Sequence, residues 1–211
     1  MGFYIPTQSF NNSINWKQFR NLSNWKKIIK AFELRINNYF FEPIELLYKK
    51  NYRGRIKFIH NFPISNICWS LLDIFTQLRE GGNVGGKKID NLLVNFDYFF
   101  LDVKMVKRIL GTKNLYDVFR NKPVHNAMVK GIGGLDHLCP DVFNVRSLTV
   151  MEKITGKSYK KNIIVENPIK LYEGIKSYLD DYLGQLKIDI ILQQNFKNRI
   201  QDFFEIQFTY I

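Results

Sequence analysis

The feature that most limits what this chain can fold into is a series of long segments whose apolar residues recur every three or four positions. Trp25, Ile28, Ile29, Phe32, Ile36, Tyr39 and Phe40 share one helical face, with Ser23 or Asn24 as cap and Pro43 placed to end or kink the helix. A shorter helical piece, Ile44 to Lys50, follows, and the basic stretch from Lys49 to Lys57, broken by Gly54, reads as an exposed loop. Pro63 fits the first turn of the next helix, whose apolar positions are Ile64, Ile67, Cys68, Leu71, Leu72, Phe75 and Leu78. That helix should stop before the glycine run at 81–86. The run has no Lys-Ser/Thr at its end and no strand before it, so it is a turn and not a phosphate loop. Lys88 to Leu110 repeats the helical pattern, with Gly111 as C-cap, and Asn114 can cap a further segment beginning at Leu115.

The pattern changes after His125. Gly131, Gly133 and Gly134 break the helix, Phe143 to Val150 alternates as a strand does, and Asn162 to Glu166 is a second short strand. Thr155-Gly156-Lys157 supplies a turn between them. Asn167-Pro168 then caps an amphipathic helix carrying Ile169, Leu171, Tyr172, Ile175, Tyr178, Leu179, Tyr182, Leu183 and Leu186, and a last helix runs from about Asp189 to Ile206. No strand–helix alternation exists from which to build a parallel sheet. The expected fold is therefore mainly α: a helical bundle of about five to seven helices with a small inserted β-hairpin. Residues 1–22 read as an irregular arm, and 23–211 as one helical domain with the hairpin inserted near 136–166.

A chain of 211 residues with 45% hydrophobic and 15% aromatic residues can bury a sizeable core. Its net charge of +12 points toward a polyanion or an acidic partner, although most of the excess is lysine scattered along helices. Cys68 and Cys139 lie in no Cys/His cluster, so neither a zinc site nor another cofactor site is expected. The N-terminus carries no signal-peptide pattern and no apolar run reaches membrane-spanning length, so the reading is a reduced, cytoplasmic protein with no membrane partner.

Within the helical segment after Asn114 stands Arg120-Asn121-Lys122-Pro123-Val124-His125, with Leu115, Val118 and Phe119 holding one side against a core. Arginine is a permanent cation whose fixed donors suit a phosphate. Histidine gives or takes a proton near neutrality. In so basic a chain the pair suggests phosphodiester chemistry on RNA. Lys122 and Lys130 flank it where an RNA backbone would pass, and His137, in Gly133-Gly134-Leu135-Asp136-His137, is a loop histidine able to line a cleft. A second spacing, Arg53 or Arg55 before His60, ranks lower, because Gly54 and Ile56 follow those arginines.

The arrangement resembles the HEPN family (higher eukaryote and prokaryote nucleotide-binding domain), over roughly Asn61 to Leu186. Ribonuclease members carry Arg, then a polar residue, then His after a short spacing. Here these are Arg120, Asn121 and His125, followed by a hairpin and by Asn167-Pro168-x-x-Leu171-Tyr172 opening a later helix. The resemblance implies an endoribonuclease needing no metal, with catalytic Arg120, His125 and Asn121. The 2′-OH of RNA attacks the adjacent phosphorus, and His125 removes its proton or protonates the 5′-oxygen. Arg120 holds the non-bridging oxygens, and Asn121 orients the phosphate or the imidazole. The products are 2′,3′-cyclic phosphate and 5′-OH ends. It also implies a homodimer that brings two motifs into one cleft, a toxin or defence role, and an antitoxin or regulatory partner. Ala127 stands where some members place a tyrosine used for another chemistry, so that role is not carried over. Two other classes compete: a non-catalytic HEPN-like dimer that binds nucleic acid or protein, and an interaction protein with no nucleic-acid role.

Overall fold

The computed structural model describes residues 25–53, 60–81, 118–119, 133–151 and 156–208, with side chains described through 49 and 200 in the first and last of these spans. Its elements in chain order are α1 (Trp25–Ile36), a π-helical turn (Asn37–Phe41), α2 (Glu42–Arg53), α3 (Asn61–Glu80), β1 (Gly133–Leu135), β2 (Phe143–Met151), β3 (Ser158–Glu166), α4 (Pro168–Leu186) and α5 (Ile190–Phe208). The described residues are mainly helical with a small sheet. The π turn joins α1 to α2 without a break, giving four helical segments among the described residues, fewer than the five to seven helices expected. The expected arm at 1–22 and the expected helix at 88–110 lie outside the described residues. Among those described, no helix is long and apolar enough to cross a membrane.

Pro43 does not end the first helix. The Glu42 N–H bonds back to Asn37 O, a five-residue span, and the widened turn lets the helix continue past a residue with no N–H. The extra residue shifts the inward face. Ile28, Ile29, Phe32 and Ile36 are buried as expected, but the next buried positions are Phe41 and Ile44, while Tyr39 and Phe40 stay half-buried.

The chain divides into two compact units: residues 1–43, 77–83 and 179–211 form one, and 44–76 with 84–178 form the other. In the first, Phe32 meets Phe196 edge to face at 5.1 Å and Tyr182 at 6.3 Å, and all three are buried. Gly81 ends α3 with φ +72°, and a Cβ there would lie 2.6 Å from Asn195 Oδ1. Asn195 Nδ2 in turn donates to Arg79 O at 2.6 Å, closing one of the unpaired carbonyls of the helix end.

The second unit holds the sheet, with strand order β1-β3-β2. β2 and β3 pair antiparallel from Phe143↔Glu166 to Met151↔Ser158, and Gly156, at φ +67°, lies in the connection between them, close to the expected turn. The third strand corrects the expectation of a hairpin alone. Gly133–Leu135 pairs parallel with Ile164–Glu166, a contact made by backbone and therefore silent in side-chain pattern. Helix α4 begins where expected: Asn167 Oδ1 accepts from the N–H groups of Ile169 (3.0 Å) and Lys170 (3.1 Å), with Pro168 at the first helical position. Its apolar stripe is buried, and Asp180 and Asp181 face solvent.

Candidate functional site

Arg120, Asn121, Lys122, His125 and Lys130 lie outside the described residues, whereas His137 is described. So is Phe119, the residue bonded to Arg120. Its ring is fully buried and lies parallel to Trp69, with centroids 6.1 Å apart and planes 4° apart. Phe143 tilts against both rings, at 5.6 Å from Phe119 and 6.5 Å from Trp69. Val118 is buried too. The stretch leading into the motif is thus fastened to the aromatic core of the second unit, as the apolar positions Val118 and Phe119 require.

Trp69 also meets a carboxyl group. Its Nε1 donates to Glu166 Oε2 at 2.8 Å. Glu166 is fully buried at the end of β3, and its Oε1 has no hydrogen-bond partner among the described residues. Burial raises its pKa to about 7, against the opposing pull of the Ser65 hydroxyl and the Trp69 indole. Cys68, buried one residue before Trp69, has its thiol pushed well up, by burial first and by the Glu166 charge second.

The turn carrying His137 is built on the backbone of this same residue. Asp136 N donates to Glu166 O at 2.9 Å, Asp136 Oδ1 accepts from Leu138 N at 2.9 Å, and Cys139 N donates to Asp136 O at 3.1 Å. The Asn167 amide holds the turn from the other side, donating to His137 O (3.0 Å) and Cys139 O (2.6 Å). The His137 ring, partly exposed, has its Nδ1 3.4 Å from Nδ2 of the buried Asn61. That contact suits the neutral tautomer, in which the amide donates to Nδ1 and the ring proton sits on Nε2. Burial lowers the His137 pKa from its ordinary value, and the Asp136 charge opposes this. Asp136 Oδ2 also pairs with Arg146 at 2.6 Å.

The described part of the second unit therefore offers a neutral imidazole held in a stiff turn, a paired guanidinium on β2, and a fully buried carboxyl group at the end of β3. This set can accept or donate hydrogen bonds to a ligand at His137 and can present positive charge at Arg146. Among the described residues no group of three or more His, Cys, Asp or Glu stands together as metal ligands do. Sequence reasoning had found His137 but not Asn61, Glu166 or the second role of Asn167. The available signal was Glu166 closing the apolar run Ile163-Ile164-Val165, a charged residue where the strand is most deeply buried. No family model matches the chain, and no curated protein or solved structure is significantly similar to it.

Proposed function

We propose that this chain is an endoribonuclease that cleaves single-stranded RNA through the RNA's own 2′-OH, with Arg120 and His125 as the reacting pair and Asn121 orienting one of them. The observation that carries the reading is the anchoring of Phe119. Phe119, the residue bonded to Arg120, is completely buried on Trp69 in the core of the second unit. Reactive side chains need such support, because a site loose by about 1 Å loses most of its rate. Lys122, Lys130 and His137 serve the RNA backbone in this reading. An internal nucleophile needs no metal-activated water, only a base, an acid and a cation beside the phosphate. A homodimer would supply two histidines for the two proton transfers. The toxin or defence role, and an antitoxin partner, belong to the same proposal and rest on the family resemblance.

The second reading is a non-catalytic nucleic-acid or protein-binding module of the same family type. Pro123 inside the motif favours it, since a proline interrupts the helix that would carry both side chains. Incubation of the purified chain with end-labelled single-stranded RNA in EDTA separates the two. Cyclic-phosphate ends are expected from the wild type, with His125→Ala slowed about 10²- to 10⁴-fold, the usual contribution of a general acid or base. Retention of RNA with no cut ends, equal in both proteins, would leave the binding module.

A further inference from the structure

The far half of the β2–β3 hairpin is exposed on both faces over most of its length. Residues 146–149 of β2 and 158–160 of β3 are all exposed, although successive residues point to opposite sides. A two-stranded ribbon is marginal by itself in water. This one nevertheless shows apolar groups to solvent: Leu148 is 45% exposed, Tyr159 51% and Met151 70%. The pairing Leu148↔Lys161 and Val150↔Tyr159 sets an aromatic ring, two aliphatic side chains and a cation on one face, with Arg146 two residues along the strand from Leu148. The other face carries Thr149↔Lys160 and Met151↔Ser158. Across 144–165 the sequence holds five Lys or Arg and a single acidic residue, Glu152. A second copy of so basic a ribbon would be repelled, and a polyanion would be attracted.

We propose that this hairpin is a docking arm for single-stranded RNA, taking the sugar–phosphate backbone on Lys157 and Lys161, two residues either side of Tyr159, and stacking a base on Tyr159. The choice of RNA rests on the ribonuclease reading above; the polyanion-binding surface does not. Aromatic rings flanked by cations are how strands are held without regard to sequence. The Arg146–Asp136 pair, at 2.6 Å, joins the arm's apolar face to the turn of His137, so a strand laid on the arm runs toward that imidazole.

The test is fluorescence anisotropy with a labelled single-stranded RNA, at stepped salt, using the full chain carrying His125→Ala so that the probe survives. Tyr159→Ala and Lys157→Glu, both at exposed positions, are compared with Lys26→Glu, an exposed charge reversal on α1 that changes net charge equally. Tyr159→Ala should weaken binding about 5- to 100-fold. Lys157→Glu should weaken it about tenfold at low salt and less as salt rises, with Lys26→Glu changing it under about twofold. Equal losses from Lys157→Glu and Lys26→Glu, no loss from Tyr159→Ala, or no binding by the parent chain would each overturn the arm. Cleavage by the otherwise native chain is read in parallel. Hairpin-dependent binding without cleavage sinks the ribonuclease reading and keeps the arm, while cleavage with hairpin-independent binding does the reverse.

Discussion

At the scale of single residues, Glu166 governs how the fold answers to pH. Its carboxyl titrates at about 7 in the folded chain and near its ordinary 4.5 when unfolded. Between those values the folded chain keeps a proton that the unfolded chain has released, so stability falls as pH rises through that window. The difference amounts to about 3 kcal/mol at pH above 7. Glu166→Gln keeps an oxygen for the Trp69 indole and cannot ionise. Its urea midpoint relative to wild type should therefore climb from pH 5 to pH 8; a constant difference would show that Glu166 does not titrate in this range. His137 works with the opposite sign, since a lowered imidazole pKa makes stability fall as pH drops below 6.5. Subtracting the variant from the wild type isolates the glutamate. Only a hint of this was legible in the chain, a charged Glu166 closing the apolar run 163–165, because its burial depends on a tryptophan 97 residues away.

Among the elements, those that end on local chemistry were readable and those that depend on distant backbone were not. Gly81 closing α3, Asn167-Pro168 opening α4 and the turn near Gly156 are each decided by a few neighbouring residues. Gly133–Leu135 becomes a strand only because β3 offers a parallel edge to it, and glycines carry no strand signal. The π turn escaped for a different reason. The apolar pattern through Tyr39 and Phe40 fits an ordinary helix, and only the missing N–H of Pro43 hints at the slip to Phe41. Asn167 joins two elements at once, capping α4 with its oxygen and fixing the His137 turn with its nitrogen. Asn167→Ala should cost about 1 to 3 kcal/mol in chemical unfolding, from a lost cap and the lost hydrogen bonds to His137 O and the buried Cys139 O. Asn167→Ser retains a capping oxygen and removes the amide donor without adding charge. NMR titration of His137 should then move toward the ordinary histidine value, and an unchanged titration would mean that the turn does not depend on that amide.

For the molecule as a whole, the reading turns on whether one chain is enough. A single histidine does not readily act as base and acid in one turnover, so the proposed nuclease should be a dimer, with a solution mass near twice the chain's 25.1 kDa by light scattering. Mixing Arg120→Ala with His125→Ala should restore part of the cleavage that each lacks, if the cleft draws on both copies. A monomer with full wild-type activity would contradict this. The candidate residues were legible as types, Arg120, Asn121 and His125, while the described cluster was not, because Glu166 meets Trp69 across 97 residues and His137 meets Asn61 across 76. The double attachment of the 136–139 turn, to β3 through Asp136 and to α4 through Asn167, has an evolutionary consequence. Insertions and deletions in diverging copies of this sequence should collect in the connection between β2 and β3 and should be purged between residues 136 and 139, where one extra residue would unseat a strand and a helix together.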